Sequence, residues 1–246
     1  VVGSPEAVVG CAGAVVGDTG RMARPPVLLV DLDGTITDSL PGIAASLHHA
    51  LAEVGARWDP ARDIRTIAGP PMPETLASLG LTGERLDTAM RAYRRRYDET
   101  GWLESALFDG VDELLRRLAA AGHRMAVATS KNEETARRVL EHFGLTAPFE
   151  FVGGADPAVG RSAKADVVAH SLRALGLDPG PGLAPDGPTP VLMIGDRRHD
   201  VEGAAAHGIP CCLVEWGYGS PEEWRSARWA ATRPSDVEAI VDEFRP

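Results

Sequence analysis

Short, unbroken apolar runs punctuate this chain, and most of them stop at a hydroxyl, a glycine or a carboxylate. Residues 27–30, 125–129, 149–152, 191–194 and 210–214 read as strands. Runs of this length without polar alternation suit strands covered on both faces. Between and after them, apolar positions recur at helical spacing over 111–121, 133–143, 163–175, 199–207, 221–227 and 235–244. Strand and helix alternating in this way predict an α/β fold with a doubly wound parallel sheet. One stretch breaks the alternation. After the first strand, 40–54, 60–67, 73–79 and 83–100 all read as helix, with no strand pattern among them. The chain thus divides into a core of residues 25–40 and 108–246 and a helical insert of 41–107. Ser39 stands where a cap for the first insert helix would, with Pro41 in its first turn. Residues 1–24 show neither period and are expected to be a disordered tail, or an over-extended start ahead of Met22. Residues 178–190 read as a Pro/Gly-rich loop without evident chemistry.

The bulk numbers narrow the field of partners. A formal net charge of −10 over 246 residues argues against nucleic acid or an anionic membrane as a partner. It also means that a phosphorylated substrate must be drawn in by a local positive site. No apolar run approaches the ~18 residues of a membrane span. Three cysteines make no disulfide framework, and adjacent Cys211 and Cys212 would point to opposite faces of a strand. Packing rather than redox chemistry is their expected role, and a reducing cytoplasm fits.

Chemistry enters at the end of the first strand, in Asp31-Leu32-Asp33-Gly34-Thr35. Residues i and i+2 share a face, so both carboxylates aim at one point beyond the strand's carboxyl end, where open α/β sheets bind ligands. Gly34 lets the backbone turn sharply and come close to a ligand, with Thr35 beside it. One carboxylate can attack phosphorus and hold a metal while the other gives and takes a proton. The plainer reading is a capping turn, with Asp33 and Thr35 bonded to backbone amides. A second strand end carries acids in Gly195-Asp196-Arg197-Arg198-His199-Asp200. Acids on two strand ends make a hard oxygen site suited to Mg²⁺.

The full string Asp31-Leu32-Asp33-Gly34-Thr35-Ile36-Thr37-Asp38-Ser39 resembles the first motif of the haloacid dehalogenase (HAD) phosphatase superfamily. Three more stretches, in family order, resemble the rest. Ala128-Thr129-Ser130-Lys131 matches the second motif, a hydroxyl at a strand end that donates to a phosphoryl oxygen. Thr129 fits best there, and Ser130 shares the role or takes it. Gly160-Arg161-Ser162-Ala163-Lys164 matches the third, with Lys164 the lysine that pairs with nucleophile and phosphoryl group, and Arg161 a helper. The acids Asp196 and Asp200 match the fourth motif.

The resemblance implies a Rossmann-like core with an all-helical (C1-type) cap. It also implies Mg²⁺-dependent hydrolysis of a small phosphorylated metabolite through an aspartyl-phosphate on Asp31, with Asp33 as acid and base. The metal would sit on Asp31, the backbone carbonyl of Asp33 and Asp196, with Asp200 at the metal or behind it. The cap turn Gly69-Pro70-Pro71-Met72 would face the site and help choose the substrate, although a helix breaker would look the same. The arginines around Tyr93 and Tyr97 are a solvated face, or one of them reaches an acidic group of the substrate.

A closer likeness is to a subgroup described as phosphoglycolate phosphatase-like or 5′-nucleotidase-like, which includes a mycobacterial HAD-type tyrosine kinase. Phosphotransfer to a protein substrate is therefore a rival activity, and a non-catalytic regulatory module is another. No Gly-rich nucleotide loop supports the kinase reading in its usual form.

Overall fold

The computed structural model describes residues 25–180, 183 and 190–244. The expectations for residues 1–24 and for most of the loop at 178–190 lie outside them.

Six parallel strands form one sheet in the order β5-β4-β1-β6-β7-β8. They are β1 (Val27–Val30), β4 (Met125–Asn132), β5 (Phe151–Ala155), β6 (Val191–Gly195), β7 (Cys211–Val214) and β8 (Trp229–Ala231). In β1 every residue is buried. Its register is set on both sides, by Leu28 opposite Met125 and Leu28 opposite Leu192. Alternate side chains feed two cores. Leu28, Val30, Val127 and Cys212 pack under α4 (Val111–Ala120), α5 (Glu133–His142) and α9 (Pro234–Glu243). Val27, Leu29, Met193 and Cys211 pack under α6 (Lys164–Ala174) and α7 (Arg198–Ala205). Burial of each such aliphatic side chain contributes about 1.5–3 kcal/mol. The two adjacent cysteines do point to opposite faces.

The insert has its own core. Helices α1 (Leu40–Glu53), α2 (Met72–Ser78) and α3 (Gly83–Glu99) bury Leu47, Leu51, Ile67, Leu76 and Ala92 among themselves, and Tyr218 enters from the sheet side. A two-stranded antiparallel ribbon, β2 (Thr37–Asp38) with β3 (Ala106–Leu107), ties the two connections between insert and sheet together. No helix among the described residues is long and apolar enough to cross a membrane.

Four expectations need correction. The helix at 60–67 is only a 3₁₀ turn, Ile64–Ile67. Asp59 and Asp63 accept from the backbone amides of Ala61 and Arg65, which locks turns where a helix would need free amides. The strand at 149–152 begins at Phe151, since the Phe149 amide closes a turn on Thr146 instead. The strand beginning at 125 runs on to Asn132. Ser39 does not cap α1 with its side chain. Tyr218 Oη accepts from the amides of Ser39 (2.7 Å) and Leu40 (3.0 Å) instead, and donates to Asp38 Oδ1 at 2.9 Å. The ribbon β2–β3 and the edge strand β8 are additions to the elements expected from sequence. A short helix α8 (Pro221–Trp224) precedes β8.

Candidate active site

Parallel strands deliver their carboxyl ends to one edge of the sheet, and β1 and β6 are neighbours there. Asp31 follows β1 directly, its amide bonded to Ile194 O at 2.9 Å. The loop behind it closes on Leu32 O, which accepts from the amides of Thr35, Ile36 and Thr37. Gly34 sits at φ +82°, and a Cβ there would collide with the carboxylate of Asp196. The bare backbone at Gly34 is what lets the two strand ends meet.

Three carboxylates, from Asp31, Asp196 and Asp200, place one oxygen each within 4.8 Å of one another, and all three residues are buried. Among the described residues one cation pairs with two of them. Lys164 Nζ, on the first turn of α6, lies 2.9 Å from Asp31 Oδ1 and 2.6 Å from Asp200 Oδ1. Asp200 Oδ2 accepts from the amides of Asp196 (3.1 Å) and Arg197 (3.0 Å), which folds the β6–α7 turn back on itself. Asp196 Oδ2 accepts from Tyr218 N at 2.8 Å, but its Oδ1 is buried without a hydrogen-bond partner. Burial pushes the Asp31 carboxyl up to about 6 despite Lys164. Burial, with Asp200 and Asp31 adding to it, raises Asp196 well above the ordinary range. An all-oxygen donor set with an orphaned, aimed oxygen suits a small hard cation such as Mg²⁺. The carboxylate of Asp33 is not part of this cluster.

Asp33 turns instead to Lys131, whose Nζ lies 2.8 and 2.7 Å from its two oxygens. That pairing replaces the backbone-amide cap that was the plainer expectation. Thr129, where the register of β4 shifts between Ala128 and Asn132, is buried, and its hydroxyl oxygen accepts from Lys131 N at 3.2 Å. The hydroxyl proton therefore remains free to donate. Thr129, Ser130, Asp31, Asp33, Lys164 and Asp200 all line one cavity of about 240 Å³. The insert supplies the opposite wall, with Gly69, Pro70 and Pro71 from one turn and Tyr93 and Tyr97 from α3.

Three residues expected at the substrate are not brought in, and Gly34 is the first, packed against the Asp196 carboxylate and not on the cavity wall. Arg161 donates to Gly154 O (2.8 Å) and Glu133 (3.0 Å), so its guanidinium is spent on the far side of β5. Thr35 is buried behind Asp31 and does not line the cavity; its carbonyl accepts from Trp216 Nε1.

Three contributors went unread in the sequence. Lys131 is one. Arg197 is another, donating to Ala68 O in the insert and to Glu223 at 3.0 Å. Tyr218 joins Asp196 to the start of α1. The only signal in each case was position, beside a motif residue or within the string Trp216-Gly217-Tyr218-Gly219.

A family model for haloacid dehalogenase-like hydrolases matches residues 28–214. Tyrosine-protein kinase PtkA of Mycobacterium tuberculosis is 49% identical over 198 residues, which are 79% of this chain and 64% of that protein. The chain thus spans under two thirds of that relative's length. A 5′-nucleotidase of Pseudomonas aeruginosa is 36% identical over 204 residues, 82% of this chain and 88% of that protein. Among solved structures, a predicted phosphatase from Clostridium acetobutylicum superposes with a TM-score of 0.79 at 29% identity, covering 90% of this chain and 100% of that one.

Proposed function

This chain belongs to the haloacid dehalogenase-like hydrolase family, and we propose that it hydrolyses a small phosphomonoester through a covalent intermediate on Asp31. The observation that carries the reading is the cluster at the joined ends of β1 and β6. A buried carboxylate is held at 2.9 Å by a lysine, with two further acids around it. The 5′-nucleotidase relative, matched over most of its length, supports the same class.

In this reading Asp31 attacks phosphorus as the ester P–O bond breaks. Asp33 first leaves Lys131 and takes a proton from solvent, gives that proton to the departing alkoxide, then takes one from the water that cleaves the aspartyl-phosphate. Thr129 donates its free hydroxyl proton to a phosphoryl oxygen, with Ser130 beside it. Lys164 neutralises the phosphoryl group from the other side while Asp200 holds Lys164 in place. The residues that would hold Mg²⁺ are Asp31, the carbonyl of Asp33, Asp196 and Asp200. The ion would draw charge from the phosphoryl oxygens as it builds. The insert acts as a cap that excludes water and selects the leaving group, with the turn Gly69-Pro70-Pro71 above the site.

The 49% identity to a tyrosine-protein kinase favours a second reading. There the aspartyl-phosphate passes its phosphoryl group to a protein hydroxyl rather than to water. Phosphate release from p-nitrophenyl phosphate, with Mg²⁺ and with EDTA, tests the first reading directly. Turnover should need the metal and vanish in Asp31→Asn, whose amide is nearly isosteric but a poor nucleophile. Activity persisting in Asp31→Asn would overturn the mechanism. Retention of the phosphoryl group until a protein acceptor is added would favour the second reading.

A further inference from the structure

Behind the cavity, at the outer edge of the sheet, ionisable side chains meet that the reaction just described does not use. Glu133, the first residue of α5, is their centre. Its Oε2 accepts from Arg161 (3.0 Å), from His170 Nε2 (3.1 Å) and from the amide of Gly154 (3.3 Å). Its Oε1 accepts from Arg137 at 2.9 Å. The two arginines also reach the edge strand β5. Arg137 donates to Val152 O at 2.9 Å, and Arg161 to Gly154 O at 2.8 Å. Side chains thus take up, along β5, bonds that a further strand would make. Partial burial works against the charge of Glu133, but Arg137, the Gly154 amide and His170 outweigh it and hold the carboxyl below its ordinary range. Glu133 therefore stays an ionised acceptor.

Two segments that carry phosphoryl-holding groups end at this cluster. The first is the end of β4, where Thr129 and Ser130 precede Glu133 by four and three residues. A Cβ at Gly154 would collide with the backbone of Lys131 and Glu133, so the bare glycine lets this segment lie directly on β5. The second leads into α6. Arg161 precedes Lys164 with only Ser162 and Ala163 between. Ala163 stands at the cap position of α6 and offers no side chain to hold it. The start of the helix is pinned from its flanks instead, by the Arg161 guanidinium on one side and by His170, further along α6, on the other.

We propose that Glu133, acting through Arg161 and His170, is the positioning residue that sets the distance between Thr129 at the end of β4 and Lys164 at the start of α6. It touches no reacting atom. Its single carboxylate fixes the two jaws that close on the phosphoryl group, and a misplacement of about 1 Å there costs up to roughly a hundredfold in rate. Arg161, turned away from the substrate, serves the site as the arm that carries this restraint to Lys164.

The role rests on the phosphatase reading, and the test reads binding and turnover apart. With Mg²⁺ present, binding of inorganic phosphate to the full chain is measured by calorimetry and turnover on p-nitrophenyl phosphate, with thermal unfolding beside both. Glu133→Ala removes the centre and Arg161→Met the arm. Each should raise the phosphate Kd about tenfold and lower kcat/KM by about tenfold to a hundredfold, with KM rising. Glu133→Gln can keep its carbonyl oxygen toward Arg161, His170 and Gly154, and should bind phosphate within about twofold of wild type. Arg137 lies on the same helix as Glu133 and is 42% exposed, so Arg137→Met cuts no link to Lys164. It too should leave the phosphate Kd within about twofold, whatever it does to stability. A merely structural role would lower the folded fraction, and with it kcat and the calorimetric stoichiometry, at unchanged Kd and KM. That pattern in Arg161→Met would overturn the proposal, as would an equal loss of phosphate affinity in Arg137→Met. Should Glu133→Ala fail to fold, Arg161→Met carries the test, because it leaves the carboxylate bonded to Arg137, His170 and Gly154. Turnover by wild type with an unmoved Kd in Arg161→Met sinks this inference alone. The expected order of phosphate affinities without hydrolysis of any ester sinks the phosphatase reading and upholds the positioning role.

Discussion

At Asp196 one oxygen is bonded and the other is buried with nothing to bond. Two more carboxylates stand within 4.8 Å, and among the described residues Lys164 pairs with Asp31 and Asp200 but not with Asp196. Without a cation the cluster is overcharged, and the upward shifts at Asp31 and Asp196 are the sign of it. Asp196→Asn removes one charge, and its new amide can donate to a neighbouring carboxylate. In EDTA this variant should therefore be at least as stable as wild type, by about 1 kcal/mol in urea unfolding. Millimolar Mg²⁺ should then raise the melting temperature of wild type and leave Asp196→Asn unmoved, since a ligand stabilises only the fold that binds it. A variant less stable than wild type in EDTA, or one still stabilised by Mg²⁺, would contradict the assignment of this cluster to a cation. The acids were legible from sequence because an apolar run ending in a carboxylate marks a strand end at the ligand-binding edge. Lys131 was not. Its partner lies 98 residues away, and only the pairing of β4 with β1 brings them together. Arg161 was misread for the converse reason. It stands three residues before Lys164 in sequence, but an extended segment before α6 turns it toward Gly154.

Among elements, the buried strands were read well, because β1 and β6 are covered on both faces and so carry no polar positions to blur them. Short or one-sided elements were lost. The ribbon β2–β3 has two residues per strand, and β8 is a three-residue edge with one buried position, too short for any period to register. The start of α1 shows another limit. A serine sits at the cap position, but the amides there are satisfied by Tyr218, some 180 residues downstream. Tyr218→Phe would leave the buried amide of Ser39 without its acceptor, while Leu40 N and Asp38 Oδ1 keep each other at 3.2 Å. The expected cost is about 1–3 kcal/mol in chemical denaturation, the scale of buried donors left unpaired. Hydrogen exchange should speed most in the first turn of α1. A Tyr218→Phe protein of wild-type stability and exchange would mean that water caps the helix as well as the phenol does.

For the whole molecule, function depends on how insert and sheet are held together. The ribbon and Tyr218 form one junction, at the root of α1. Lys131 beneath Tyr97 forms a second contact, inside the cavity. The third is a clasp on the opposite rim. Arg197, next to Asp196, donates to Ala68 O while Glu223 at the start of α8 holds the same guanidinium at 3.0 Å. Glu223 is itself fixed by the amides of Arg198 and Ser220. Gly69 follows at φ +106° with its backbone against the Arg197 side chain, so the turn Gly69-Pro70-Pro71 is carried over the cavity at a set height. Glu223 keeps Arg197 in place whether or not the insert is docked, so the insert can release the clasp without stranding a charge. Arg197→Met should therefore loosen the insert without unfolding the sheet. Amides near Ala68, Gly69 and Met72 should exchange about tenfold faster, the equivalent of one bond from a charged donor at ~1.5 kcal/mol. Exchange in β1 and β6 should be unchanged. The rate loss should be larger for a substrate that fills the cavity than for p-nitrophenyl phosphate, which touches little of the insert. Unchanged exchange at the turn would show that burial of Ile67 and Ala68 in the insert's own core is enough to hold it, and that the clasp is incidental to closure.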